Sequence, residues 1–174
     1  MLHTLLAVLA ILNLFPANTK ANSPPAAYSC HAAAYILGTS QQETQILAGP
    51  GQQHAVLKKI PKQAEPPFLN IRMGMGNWLR ISDVHSLDGH LLFGGSGWIY
   101  ALKLATTTKV ITPGSKTPLY SSPNPASKIR SEVDAHSEVK ILYCQGAWLK
   151  VRAGKAEGWL SPQHQCANPI YGCR

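Results

Sequence analysis

The chain has 174 residues, with 16 Lys and Arg against 8 Asp and Glu, a formal net charge of +8, and 45% hydrophobic residues. That length suits one ordinary domain or two very small ones, and it excludes a large self-sufficient core in each half, because a 60-residue domain buries only about 60% of the surface its unfolded chain exposes. The basic balance biases the protein toward anionic partners.

Met1 to Ala21 reads as a secretory signal. Leu5 to Leu12 is an unbroken apolar run, Pro16 ends it, and Thr19-Lys20-Ala21 offers a small-x-small cleavage site. The run is too short to span a bilayer, so the mature chain is expected to be periplasmic or secreted with no transmembrane segment. Cleavage after Ala21 removes Lys20 and leaves a charge of +7. Export argues against nucleic acid as the partner and favours cell-wall polymers or other acidic glycans. The four cysteines, Cys30, Cys144, Cys166 and Cys173, all follow the cleavage site, as a disulfide framework in an oxidising compartment requires. No CxxC pair is present, which removes support for a zinc ribbon or a thioredoxin-type redox pair.

Asn22 to Tyr28, with Pro24-Pro25, reads as a spacer, with order beginning near Tyr28-Ser29-Cys30. Ala33 to Leu47 reads as two strands around the polar turn Gly38-Thr39-Ser40-Gln41-Gln42. Ala48-Gly49-Pro50-Gly51 is a loop, and Val56 to Pro61 is a strand ended by its proline. Phe68 to Met73 alternates, with Phe68, Asn70 and Arg72 on one face and Leu69, Ile71 and Met73 on the other. Gly74 to Asn77 then turns the chain into a strand at Trp78. The hairpin from Trp78 to Trp98 has Asp88-Gly89 at its expected tip. Ala101 to Thr117, with Thr106-Thr107-Thr108 and Pro113-Gly114-Ser115, reads as an extended link between two halves.

In the second half Leu119-Tyr120 leads into the loop Ser121 to Pro125. Ile129 to Val133 and Glu138 to Cys144 read as strands, and Gln145-Gly146 turns the chain into Trp148. The stretch Trp148 to Leu160 is a hairpin turning at Ala153-Gly154-Lys155. Leu149 and Val151 point to its core side, and Trp148, Lys150 and Arg152 to the other. Ser161 to His164 reads as a 3₁₀ turn, and Cys166 to Arg174 as a short tail.

All four tryptophans fall in the two hairpins, 20 residues apart in the first and 11 in the second. The pattern is an internal duplication of a small β-module. Its order, a Gly/Pro loop, strands, Trp-x-Lys/Arg-Val/Ile and a return at Gly-Trp-Leu/Ile, resembles bacterial SH3-like (SH3b) domains. Trp148, Val151, Gly158, Trp159 and Leu160 carry the resemblance in the second copy. Leu47 to Gly51, Trp78, Ile81, Gly97, Trp98 and Ile99 carry it in the first.

The resemblance implies an all-β fold of two tandem small SH3-like β-barrels after a cleaved signal peptide. The expected organisation is 1–21 signal peptide, 22–29 linker, 30–108 first domain, 109–116 linker, and 117–174 second domain with a C-terminal cysteine tail. It also implies a non-catalytic targeting module for peptidoglycan or another cell-envelope ligand, without a cofactor. The competing class is a binder of an envelope protein, an inhibitor or assembly partner whose long first hairpin inserts into its target. By position, the ligand-binding candidates are Trp148, Lys150, Arg152, His164, Trp78 and Arg80, with Leu149, Val151, Leu79 and Ile81 in the core. Ser161 and His164 replace the proline and tyrosine of a polyproline groove, which argues against that ligand class.

Two chemical sites are weighed and set aside. A cysteine hydrolase would pair Cys144 or Cys166 with His136 or His164, and stands a distant third behind the two binding classes because exported cysteines are more often bridged than free. His85 and His90 flank Asp88, a composition that a solvated loop also produces, so no metal is assigned. Cys144 leads into the second hairpin and Cys166 follows the turn that leaves it. The expected bridges are therefore Cys144 to Cys166 and Cys30 to Cys173.

Overall fold

The computed structural model describes residues 25–37, 43–109, 111–112 and 114–167. The expected signal peptide, its cleavage site, the turn at 38–42 and Cys173 lie outside the described residues. The fold is all-β, with thirteen strands, two 3₁₀ turns and no α-helix among the described residues. The strands are β1 Ala27–Ile36, β2 Thr44–Leu47, β3 Val56–Ile60, β4 Phe68–Met75, β5 Trp78–His85, β6 Leu91–Tyr100, β7 Leu104–Thr108, β8 Thr117–Tyr120, β9 Ile129–Val133, β10 Glu138–Gln145, β11 Trp148–Ala153, β12 Ala156–Leu160 and β13 Gln165–Cys166. They form one hydrogen-bonded path, β3-β2-β6-β5-β4-β1-β7-β10-β11-β12-β8-β9, with β13 added alongside β7.

Period-two alternation makes the core. Leu69 and Ile71 of β4, Leu79 and Ile81 of β5, Val139 and Ile141 of β10, and Leu149 and Val151 of β11 are all buried, while their neighbours Asn70, Arg80, Lys140 and Arg152 are exposed. One departure recurs. β4 carries a register shift between Ile71 and Met73, and β10 an equivalent one between Ile141 and Tyr143. A bulge adds one residue to its strand, so the alternation expected to bury Met73 breaks: Met73 is half-buried and Gly74 takes the inward place. In β10 the bulge leaves Leu142 and Tyr143 both half-buried between the buried Ile141 and Cys144.

The pairings of the first half recur in the second. β2 pairs β3 and β6, while β4, β5 and β6 form a meander. β8 likewise pairs β9 and β12, and β10, β11 and β12 form the second meander. A 3₁₀ turn follows each meander, Ala101–Lys103 in the first and Pro162–His164 in the second. Glycine is required at both return strands. A Cβ on Gly97 would lie 2.3 Å from the Ile46 side chain, and one on Gly158 would lie 2.8 Å from Leu119 Cβ and 2.9 Å from the Tyr120 carbonyl oxygen.

Within the segment expected to be an extended link, Leu104–Thr108 form a buried strand, β7, that pairs with strands of both halves. All five residues of β7 are buried. Its first residues pair with β1 (Leu104 with Ile36, Ala105 with Tyr35), Ala105 to Thr107 pair with β10, and Thr107 and Thr108 pair with β13. Threonine hydroxyls of this strand are satisfied internally. Thr106 Oγ1 donates to the Cys166 carbonyl at 2.9 Å, and Thr108 Oγ1 to the Asp134 carbonyl at 2.9 Å. One buried cluster accordingly contains Ile46, Leu69 and Ile81 together with Leu119, Val139 and Val151.

The cysteine pairing differs from expectation. Cys30 is bonded to Cys144, with a Cα–Cα distance of 5.8 Å and both residues fully buried. The expected spacer in fact contributes residues 27–29 to β1, and that strand runs past the β10–β11 turn. His31 N–H donates to the Gly146 carbonyl and Gly146 N–H to the Ser29 carbonyl, each at 2.8 Å. This contact brings Cys30 onto Cys144. Cys166 sits on β13 opposite Thr107, so β7 lies between it and β10. Cys166 is itself disulfide-bonded.

Candidate functional site

A cleft of about 490 Å³ opens where the two halves meet. The second half supplies Leu142, Tyr143, Lys150, Arg152, Glu157 and Trp159, and the first supplies Asn77, Tyr100, Ala101 and Leu102. Local geometry explains the second wall. The β10 bulge turns Leu142 and Tyr143 to the outer side, and the register of the β11–β12 hairpin sets Lys150 opposite Trp159 and Arg152 opposite Glu157. Tyr143 and Trp159 meet edge to face with centroids 6.3 Å apart, and Tyr28 and Tyr143 do so at 5.4 Å. Burial pushes the Tyr143 phenol pKa up, with the neighbouring Tyr28 adding to the shift.

Three charges of the hairpin, Lys150, Arg152 and Glu157, form one network. Arg152 donates through Nε and Nη2 to Glu157 Oε2 at 3.1 and 2.8 Å, and Lys150 Nζ lies 3.2 Å from Glu157 Oε1. The Arg152 hydrogen bonds, followed by that of Lys150, hold the Glu157 carboxyl below the ordinary carboxylate range, so it is charged at neutral pH. Net charge in the network is +1.

Lys150 and Arg152 thus share the outer face as expected, but the ring beside them is Trp159 rather than Trp148. Trp148 is half-buried, packs edge to face against Tyr120 at 5.5 Å, and lies outside the cleft lining. Sequence reasoning missed Trp159, Glu157 and Tyr143. Trp159 and Glu157 had a signal, since a hairpin turning at Gly154-Lys155 places 150 across from 159 and 152 across from 157. The bulge that exposes Tyr143 had none.

Trp78 lines a second, smaller cleft of about 250 Å³ with Glu43, Gln45, Leu47, Gln52, Tyr100 and Lys103. Tyr100 belongs to both clefts and meets Trp78 edge to face at 5.5 Å. Arg80 lines neither, and its Nη2 donates to Ser96 Oγ at 3.0 Å. His164 is corrected from ligand candidate to interior residue. It is 8% exposed, its Nδ1 lies 2.7 Å from Ser161 Oγ, and burial lowers its pKa. The 3₁₀ turn folds its imidazole inward.

The cysteines weighed as nucleophiles, Cys144 and Cys166, are both disulfide-bonded and present no thiolate. At the tip of the first hairpin Asp88 contacts His90 at 3.2 Å, whereas His85 stacks on Phe68 at 5.5 Å. No helix among the described residues is long and apolar enough to cross a membrane.

Among the solved structures that resemble the chain are two from Trichomonas vaginalis. NlpC2 is 15% identical with a TM-score of 0.29, covering 79% of this chain and 49% of its own length. NlpC1 is 14% identical with a TM-score of 0.31, covering 79% and 46%. The chain therefore spans about half the length of these structures. No curated protein matches it. Residues 115–164, from just before β8 through the second 3₁₀ turn, match the family described as bacterial SH3 domain, and this stretch supplies the charged and aromatic wall of the larger cleft.

Proposed function

We propose that the protein is an exported, non-catalytic binding module that recognises peptidoglycan or another cell-envelope ligand through the cleft between β11–β12 and the Tyr100–Leu102 segment. The observation that carries the reading is the placement of Trp159, Lys150 and Arg152 together on a hairpin inside the stretch that matches a bacterial SH3 domain. An aromatic ring offers a face to a sugar or peptide, and adjacent cations attract the carboxylates of wall polymers. The first half serves as a second SH3-like copy that shares β7, a reading supported by the recurrence of strand pairings, bulge and 3₁₀ turn. Export is supported by the Leu5 to Leu12 run and by the buried Cys30–Cys144 disulfide.

A second reading, a protein-binding module, draws on the long β5–β6 hairpin, where Leu91 is 59% exposed. Co-sedimentation with purified peptidoglycan sacculi separates the two. Retention of the wild-type chain in the pellet supports wall recognition. A chain that stays in the supernatant while an envelope protein is recovered with it in a pull-down supports the alternative and overturns the first reading.

A further inference from the structure

Resting on the wall-binding reading, we infer that the cleft selects a ligand carboxylate, and that Glu157 is an intramolecular competitor occupying the same two cations. The accounting of donors and acceptors favours this over a cationic ligand. Glu157 already accepts three charge-assisted contacts, from Lys150 Nζ on Oε1 and from Arg152 Nε and Nη2 on Oε2. An ammonium carries three N–H donors and a guanidinium five, so most of the donor capacity of Lys150 and Arg152 is left over after Glu157 is served. What the network still lacks is acceptors. A carboxylate supplies two oxygens in the geometry that a guanidinium fork favours.

Exposure agrees with such an exchange. The side chains of Lys150 and Arg152 are 35% and 51% exposed, and that of Glu157 is 26% exposed, so a ligand reaches the cations without unfolding the hairpin. Trp159, cross-strand from Lys150, lies beside the incoming group. The ligand class is thus a wall fragment that carries a carboxylate next to a face able to pack on an indole, such as a peptide stem on its sugar. A neutral glycan engages the ring but gains nothing from the cations. In the free protein Glu157 holds Lys150 and Arg152 in place and sets a threshold at these cations that only an anionic group crosses.

The test uses two probes, N-acetylmuramyl dipeptide, which carries carboxylate, and chitotetraose, which does not, titrated into the wild-type chain and Glu157→Gln with tryptophan fluorescence or calorimetry as readout. Glutamine keeps the size and removes the charge. Glu157→Gln is expected to bind the dipeptide about two- to fivefold more tightly, the scale of exposed ion pairs, with chitotetraose unchanged. Lys150→Glu, with the thermal midpoint checked in parallel, is expected to weaken the dipeptide alone. Equal or weaker dipeptide binding by Glu157→Gln overturns the inference, and so does the absence of dipeptide binding by either protein. Retention of the wild-type chain by sacculi is scored separately, so failure of the competitor leaves the wall reading standing, and failure of sedimentation removes that reading on its own.

Discussion

In the β5–β6 hairpin the outward arginine, Arg80, donates to the neutral hydroxyl of Ser96, whereas in β11–β12 the outward Arg152 meets the carboxylate of Glu157 with Lys150 on its other side. Beneath those faces the two hairpins bury the same kinds of residue, Leu79, Ile81 and Ile99 in one and Leu149, Val151 and Leu160 in the other. Burial fixes the inward positions, because each must fill space beside its neighbours. The outward positions are free to differ, and there the second hairpin has acquired a charged network and the larger cleft. Two hairpins with the same pattern of burial can thus carry different surfaces.

The comparison is broken most severely at the inward positions. Val151→Asp buries an unpaired charge and is expected to abolish folding, and Ile81→Asp should do the same from the other hairpin. Because β7 pairs with β1, β10 and β13, either lesion should remove the single thermal transition of the whole chain as seen by circular dichroism. Survival of a folded half would show two independent units.

Next in size is the disulfide. Replacing Cys30 and Cys144 together by Ser should cost about 2 to 5 kcal/mol in urea unfolding, since the bond closes a long loop and both ends are buried. If the halves depend on that bond for their union, the variant will show two transitions instead of one.

A smaller effect is expected at His164, whose place in the first 3₁₀ turn is taken by Lys103. Its folded pKa lies below the ordinary value of 6.5, so the folded state resists protonation more than the unfolded chain does. The corresponding stability is fully present above about pH 6.5 and is lost as pH falls through the lower folded value. Urea midpoints measured from pH 7.5 to 5 should decline, and His164→Gln should flatten that decline.

Much of the scaffold was legible because alternation reports directly on burial. Strands at Val56, Phe68, Trp78, Glu138 and Trp148, the tip at Asp88-Gly89 and the turn at Ser161 to His164 all follow from side-chain period and turn chemistry. β7 was not legible. A run of three threonines reads as an extended link unless one knows which carbonyls will accept its hydroxyls, and those belong to Asp134 and Cys166 far along the chain. The disulfide was hidden for the same reason, since proximity of Cys30 to Cys144, 114 positions apart, depends on β1 reaching the Gly146 turn. At the candidate site, counting along β11 grouped Lys150 and Arg152 with Trp148, which packs on Tyr120 outside the cleft lining. Counting across the hairpin would have paired them with Trp159 and Glu157.

The binding account turns on which tryptophan meets the ligand. Trp159 lines the cleft beside Lys150, whereas Trp148 packs on Tyr120 outside it. The most direct measurement is therefore sacculus co-sedimentation of Trp159→Ala and Trp148→Ala beside the wild-type chain, with thermal midpoints recorded for each. The account predicts that folded Trp159→Ala loses most of its retention, about tenfold or more on the scale of a buried aromatic anchor, while Trp148→Ala keeps its own. Retention that survives the loss of Trp159 but disappears with Trp148 would contradict it.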